Sequence, residues 1–199
     1  MAQFHIWNMC RMNPTYEYRF FDDDAIDAFI KSEFNSDVYK QYSKIAIGAA
    51  KADFFRYAIL LKNGGIYLDI DSKINGKLDS WISKSDKAII TEEGNPGFYV
   101  QWALIYDKGH PFLAKTIENI LDNIRTNRYP NDVHKMTGPT VYSTAIKQCM
   151  KEDATIPYRI LGIDYEGKIT FKYWLSGFSF NQKEHWRVSE KKTGVLRSN

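Results

Sequence analysis

The chain has 199 residues, 44% hydrophobic and 15% aromatic, which is enough to build the core of one folded domain and excludes a disordered chain. Its 27 Lys and Arg residues against 24 Asp and Glu residues give a charge of only +3, and the one basic cluster is Lys191-Lys192, which argues against a nucleic-acid partner. Cys10 and Cys149 lie far apart, so neither a zinc site nor a disulfide framework is indicated and a reducing compartment is expected.

The N-terminal stretch predicts a first β-strand over residues 4–9, which are short and apolar. It lacks the basic start and apolar core of a signal peptide, and no apolar run approaches the roughly 18 residues of a membrane span. We therefore expect a soluble, cytoplasmic protein with no membrane span.

A second strand is predicted over residues 17–21, followed by a helix over residues 22–34. Asp22, Asp23 and Asp24 suit the positive end of the helix dipole, so we interpret them as helix-capping residues and not as metal ligands. A further helix is expected between residues 36 and 47.

The next helix is predicted over residues 49–62, which contain no Gly or Pro, and Asn63-Gly64-Gly65 supplies the left-handed residues that end it. Apolar side chains surround it almost completely, so it is expected to be buried. Asp53 and Arg56 share one face at a spacing of three residues, where they either pair with each other or jointly meet something polar.

A strand over residues 66–71 follows, and its period-two alternation places Tyr67, Asp69 and Asp71 on one face, opposite Ile66, Leu68 and Ile70. Two carboxylates that point the same way repel each other, and a divalent cation such as Mg²⁺ or Mn²⁺ removes that cost. An EF-hand is excluded because Ile74 stands where its loop requires glycine. A lone Asp-x-Asp is more often a solvated turn, and a helical Asp/Arg pair is more often a surface ion pair.

The remaining pattern predicts a mixture of strands and helices, which indicates an α/β fold with a mostly parallel sheet. The acids Glu92 and Glu93 at the end of one strand either face a ligand at the carboxyl edge of the sheet or are solvated. His110, which precedes the proline at a predicted helix start, is interpreted as a helix cap. The predicted elements are a short helical piece at 78–82, strands at 87–92 and 97–106, helices at 109–125 and 137–149, and a hairpin of 158–163 with 169–174.

Asp53-x-x-Arg56-Tyr57 followed by Gly64-Gly65-Ile66-Tyr67-Leu68-Asp69-Ile70-Asp71 resembles the DXD sugar-binding region of family 32 glycosyltransferases. That family includes yeast-type initiating mannosyltransferases and capsular-polysaccharide transferases, and the chain is more distantly similar to clostridial glucosylating toxins. In its compact form it also resembles chlorovirus-encoded glycosyltransferase domains. The resemblance implies a GT-A glycosyltransferase fold with one nucleotide-binding domain over residues 1–199, to which the predicted C-terminal hairpin belongs. The polar residues after about residue 189 predict a mobile tail.

The resemblance also implies roles for individual residues. Asp71 is the main metal ligand, Asp69 serves the ribose and the metal, and His185 of the Glu184-His185-Trp186 element fills a metal position or supports the diphosphate. The donor sugar is bound by Asp53, Arg56 and Tyr67, and the nucleotide is bound by Ile6, Trp7 and Asp69. Asp69, Asp71 and Arg56 form the catalytic set, with no catalytic base assigned. The alternative for Trp7 is a place in the core.

The function these residues predict is metal-dependent transfer of a sugar from a nucleoside diphosphate sugar, with UDP favoured and Mn²⁺ or Mg²⁺ as cofactor, to a glycan or protein-glycan acceptor. Retention of configuration and a monomeric state are part of this expectation. One alternative is a non-catalytic module that binds a nucleotide sugar or glycan. A nucleic-acid-binding protein, which the pI near 8.7 allows, is the weakest alternative because the chain lacks a clustered basic face.

Overall fold

The computed structural model of the chain describes residues 2–171 and 194–197, in which helices pack around a four-stranded and a two-stranded sheet. The helices are α1 (Ala2–Met12), α2 (Asp23–Glu33), α3 (Ser36–Ser43), α4 (Gly48–Asn63), α5 (Pro111–Arg125), α6 (Val133–Met136) and α7 (Pro139–Glu152). The strands are β1 (Gly65–Leu68), β2 (Ser72–Ile74), β3 (Ala88–Glu92), β4 (Ala103–Tyr106), β5 (Arg159–Ile163) and β6 (Ile169–Phe171). A short 3₁₀ turn lies at Leu78–Ser80, and a turn with left-handed backbone lies at Asp164–Gly167.

The larger sheet is mixed, with strand order β1-β4-β3-β5, so the α/β class is confirmed and the mostly parallel arrangement is wrong. β4 pairs antiparallel with both β1 and β3, and the parallel pair is β3 with β5. The link from β3 to β4 folds back at once, because Glu93 N–H donates to the Phe98 carbonyl at 2.9 Å. Parallel neighbours need a crossover of roughly a dozen residues or more, which this link does not provide.

The predicted C-terminal hairpin is also wrong, because β5 and β6 belong to different sheets. β6 pairs antiparallel with β2. Between β5 and β6 the backbone takes positive φ at three successive non-glycine residues, with φ 56° at Tyr165. Burial of the Tyr165 ring, whose hydroxyl donates to the Ala103 carbonyl at 2.9 Å, draws the chain inward and redirects it to the second sheet. Residues 172–174 of the predicted hairpin lie outside the described residues.

The N-terminal elements differ from their prediction as well. Residues 4–9 belong to helix α1, and residues 17–21 form no regular strand. A short apolar run does not distinguish a strand from a helix by periodicity. The helix is held by its C-terminal end, where the Ile74 N–H contacts the Met9 sulfur and the Leu78 N–H donates to Asn13 Oδ1 at 2.7 Å.

Helix α4 lies at the centre of the larger hydrophobic core, which confirms the prediction of a buried helix. Phe54, Tyr57 and Ala58 are completely buried, and α4 packs against α5, β1 and β4. The helix ends as predicted at Gly64, whose φ of 68° and ψ of −170° give a conformation restricted largely to glycine and outside the left-handed helical region. None of the helices in the described part of the chain has the length and apolar character that crossing a bilayer demands.

Two predicted helix caps are confirmed. The Asp22 side chain accepts a hydrogen bond from the Ala25 N–H at 2.9 Å at the start of α2. The ring of His110 accepts from the Phe112 N–H at the start of α5, and burial lowers the pKa of His110.

Replacing Gly64 by Ala tests the turn that joins α4 to β1. A Cβ atom on Gly64 would lie 2.7 Å from the Lys108 backbone nitrogen, in addition to the strain of a positive φ. We expect Gly64→Ala to destabilise the fold by roughly 2 kcal/mol or more. Gly65→Ala, with positive φ but open space around the Cβ, should cost less, and thermal denaturation of both variants measures the difference. Equal melting temperatures would contradict the clash.

Candidate functional site

A cleft of about 1640 Å³ opens beside the N-terminal half of the chain. Its wall includes side chains from α1, from the loop that precedes α2, from one face of α4, and from β1 with the turn that follows it. Asp53, Arg56, Tyr67, Asp69 and Asp71 all line it. The structure thus brings together every described residue that the sequence assigned to the sugar and the metal.

Arg56 is the centre of this site and is only 5% exposed. Its Nη2 lies 3.0 Å from Asp69 Oδ1 and 3.3 Å from Asp53 Oδ1. Its guanidinium also lies over the Tyr67 ring, 5.2 Å from the centroid. The two alternatives for Asp53 and Arg56 are therefore both realised, because they pair with each other and Arg56 also meets the DXD carboxylate.

Asp53 is held from two further sides. Thr137 Oγ1 donates to Asp53 Oδ2 at 2.9 Å, and Gln101 Nε2 donates to Oδ1 at 3.3 Å. The Tyr57 hydroxyl donates to Gln101 Oε1, and Arg56 Nη1 donates to the Gln101 carbonyl at 2.9 Å. The positions of Asp53 and Arg56 are thus fixed by groups from three separate parts of the chain.

Three members of the site are not predicted by the sequence: Gln101, Thr137 and Tyr57. Gln101 precedes β4 and Thr137 precedes α7, so no spacing in the sequence joins them to α4. Tyr57 follows Arg56 directly and belongs to the quoted motif, which is the one signal that points to it.

The ionisation of this cluster is governed by burial. Burial raises the pKa of Asp53 and of Asp69, and the nearby Arg56 offsets part of that rise for each. Burial would lower the pKa of Arg56, but Asp69, Tyr67 and Asp53 more than reverse this, so its pKa is raised and it stays charged. Burial likewise raises the pKa of Tyr67, which therefore remains a neutral hydrogen-bond donor to Asp69 Oδ1 at 2.9 Å.

The DXD motif lies in a turn and not in a strand, which corrects the predicted alternation. β1 ends at Leu68, and the Ser72 N–H donates to the Asp69 carbonyl at 2.8 Å to close the turn. Ile70 is 53% exposed, so it does not lie on the apolar face of a strand. The Asp69 N–H still donates to the Trp102 carbonyl at 2.8 Å, which fixes the turn to the edge of the sheet.

The residues present fit a divalent cation that also contacts a ligand. Asp69 and Asp71 bring two carboxylates to one turn on the cleft wall, and the buried Ser72 Oγ beside them has no hydrogen-bond partner among the described residues. In the same part of the chain there is no cluster of three or more His, Cys, Asp or Glu residues arranged for a metal. Few protein ligands and several open positions are typical of Mg²⁺ at phosphate-binding sites. His185, the third predicted ligand, lies outside the described residues.

The two residues predicted to bind the base lie on α1. Trp7 is 57% exposed, with the Arg11 guanidinium 5.3 Å from its ring centroid, so its alternative place in the core is wrong. Ile6 is partly buried, and stacking of Trp7 on a base stays a prediction. Of the two acids at the end of β3, Glu92 is exposed and Glu93 lines the cleft.

Comparison with known proteins identifies the same region. Residues 3–88 match the family model described as "Glycosyltransferase sugar-binding region containing DXD motif". The chain is 28% identical over 162 residues to the initiation-specific alpha-1,6-mannosyltransferase of Schizosaccharomyces pombe, covering 67% of this chain and 41% of that protein. It is 30% identical over 150 residues to the Candida albicans protein of the same name, covering 63% and 39%. The chain therefore spans about 40% of the length of these relatives.

A viral relative and a solved structure extend the comparison. The chain is 28% identical over 165 residues to uncharacterized glycosyltransferase L373 of Acanthamoeba polyphaga mimivirus, covering 79% of this chain and 62% of that protein. The structure of the PaToxG glycosyltransferase superposes with a TM-score of 0.50 at 21% identity, covering 68% of this chain and 47% of that one. The similarity predicted from the sequence is confirmed, and the fold is that of a glycosyltransferase.

Replacing Thr137 by Val tests the support of Asp53. The substitution keeps the shape of the side chain and removes the hydrogen bond to a buried carboxylate, so we expect a loss of roughly 1.5–3 kcal/mol in the free energy of unfolding. Thr116→Val is the matched control, since Thr116 is also fully buried but donates to the Phe112 carbonyl of its own helix. Urea denaturation of both variants measures the difference, and an equal loss would contradict a special role for Thr137.

Proposed function

We propose that this chain, whose residues 3–88 carry the DXD-containing sugar-binding region of a glycosyltransferase family, transfers a sugar from a nucleoside diphosphate sugar to a glycan or protein-glycan acceptor. The observation that carries the proposal is the position of Arg56, buried between Asp53 on α4 and Asp69 in the DXD turn. That contact connects two pairs of residues on the wall of one cleft. Asp53 and Arg56 suit sugar hydroxyls, and Asp69 and Asp71 suit a cation.

Asp53 and Arg56 suit a polyol because a carboxylate accepts hydrogen bonds and a guanidinium donates them. Arg56 Nε is buried and has no hydrogen-bond partner among the described residues, so this N–H group remains available to donate to a ligand. Tyr67 covers the guanidinium and donates to Asp69, which keeps that carboxylate oriented. In this proposal Asp53 and Arg56 of α4 bind the donor sugar, and the DXD turn binds the diphosphate of the donor.

Cleavage of the bond between sugar and diphosphate leaves negative charge on the leaving phosphate. A Mn²⁺ or Mg²⁺ ion, held by Asp69 and Asp71 and by His185 as predicted from the sequence, would supply electrostatic stabilisation where that charge develops. Arg56 adds a fixed positive charge close by, and burial strengthens its effect.

We favour UDP as the nucleotide, on the basis of the predicted stacking of Trp7 and the similarity to toxin-type glycosyltransferases. The names of two relatives make mannose a donor sugar that must be tested beside glucose. Retention of configuration is proposed from the family resemblance, and NMR of the anomeric proton in the product measures it. We place the activity in the cytoplasm, and the monomeric state and the single domain over residues 1–199 also remain proposals.

The metal proposal is tested by removing each carboxylate of the DXD turn. Asp71→Ala and Asp69→Asn should each lower Mn²⁺-dependent turnover of the donor by about two to three orders of magnitude, because each removes a stabilising contact for the leaving diphosphate. Excess EDTA should have the same effect on the unchanged protein. Turnover is measured as release of the nucleoside diphosphate.

The matched control is Asp122→Ala, which removes a half-exposed aspartate whose partner is Arg128 on the surface. Activity in this variant should equal that of the unchanged protein. Full activity of the Asp71 and Asp69 variants, or of the protein in EDTA, would contradict the proposal. Binding of a nucleoside diphosphate sugar without transfer to any acceptor would instead favour the non-catalytic binding module.

A further inference from the structure

The loop between α1 and α2 is fixed at both ends. We call residues 15–21 the rim loop. At its start, the Tyr16 hydroxyl donates to Asp79 Oδ1 at 2.9 Å. At its end, the Phe21 ring packs against Phe55 of α4, with ring centroids 5.1 Å apart. The rim loop therefore has a defined position against the helix that carries Asp53 and Arg56.

Between these anchors the rim loop exposes two aromatic rings on the cleft wall. Tyr18 is 48% exposed and Phe20 is 62% exposed, and both line the cleft. The residues on either side of Tyr18, Glu17 and Arg19, pair with each other through two hydrogen bonds of 2.9 Å. Two exposed rings on an anchored loop at the wall of a binding cleft indicate a surface that a ligand covers.

The charge of the cleft limits what that ligand can be. Carboxylates line it at the Asp22–Asp24 turn, at the DXD motif and at Glu93, whereas its described arginines are Arg19 and Arg56. Arg19 is paired with Glu17 and Arg56 is buried between two carboxylates. An anionic acceptor would therefore meet like charge, and a neutral one would not.

We propose that Tyr18 and Phe20 form the acceptor subsite and that the acceptor is a neutral glycan. This inference rests on the proposed transfer reaction. The C–H face of a sugar ring carries partial positive charge and packs on the negative face of an aromatic ring. The carboxylates at the start of α2, Asp22 to Asp24, provide hydrogen-bond acceptors for sugar hydroxyl groups next to these rings. One oxygen of Asp22 already accepts the capping hydrogen bond of α2.

The test compares Tyr18→Ala and Phe20→Ala with Ile160→Ala, a control at an apolar side chain on β5 that is 50% exposed and does not line the cleft. The acceptors are neutral manno-, gluco- and galacto-oligosaccharides and the same sugars carrying a phosphate. We expect transfer to a neutral oligosaccharide, with the acceptor KM raised about three- to tenfold in each rim-loop variant, more than any change in the donor KM. Ile160→Ala should leave both KM values unchanged, and phosphorylated acceptors should be used at least tenfold less efficiently.

Saturation-transfer NMR with the same oligosaccharides measures acceptor binding separately from catalysis. Signals that appear with the unchanged protein and weaken in both rim-loop variants would support the subsite even if no transfer occurred, in which case the proposed function would fail alone. Preference for phosphorylated acceptors would overturn the inference. Unchanged acceptor KM and binding in both variants, or no saturation transfer to any neutral oligosaccharide, would also overturn it.

Discussion

The contact on which the site depends is the buried guanidinium of Arg56, which lies within 3.3 Å of carboxylate oxygens on both Asp53 and Asp69. One carboxylate comes from the same helix and the other from the turn after the next strand, so this contact sets the geometry between α4 and the DXD motif. Removing one partner of a buried ion pair typically costs about 3–5 kcal/mol, because an uncompensated charge remains in the interior. The same interaction therefore stabilises the fold and positions the residues of the site.

The cluster holds two carboxylates and one guanidinium, which leaves it with an excess of negative charge if both acids are ionised. Burial raises the pKa of both Asp53 and Asp69, and Arg56 offsets part of that rise. A divalent cation at the DXD turn would supply the missing positive charge, and the diphosphate of a donor would then balance the cation. The carboxylates elsewhere on the cleft wall are consistent with a neutral second substrate.

Local signals in the sequence predicted the elements that carry the site. The run without Gly or Pro before Gly64 predicts α4, and Asp22 predicts the start of α2. The spacing of three residues predicts that Asp53 and Arg56 lie on one face of α4, where they pair. The strand pairing and the remaining members of the site depend on interactions between residues that are distant in the sequence. Burial of Tyr165 directs β6 to a second sheet, and Gln101 and Thr137 reach Asp53 from other elements, none of which a single sequence encodes as a pattern. The period-two alternation continues past Leu68 and predicts a strand through Asp71, whereas a backbone hydrogen bond from Ser72 to Asp69 closes a turn there.

Calorimetric titration measures whether the DXD turn and the Asp53–Arg56 pair together bind one nucleoside diphosphate sugar. UDP- and GDP-sugars would be titrated into the protein in Mn²⁺ and in EDTA, with the free nucleoside diphosphates in parallel. We expect one nucleotide sugar to bind in Mn²⁺, more tightly than its free nucleoside diphosphate, and we expect EDTA to abolish the binding. Equal affinity in Mn²⁺ and EDTA, or no binding of any nucleotide sugar in Mn²⁺, would contradict it.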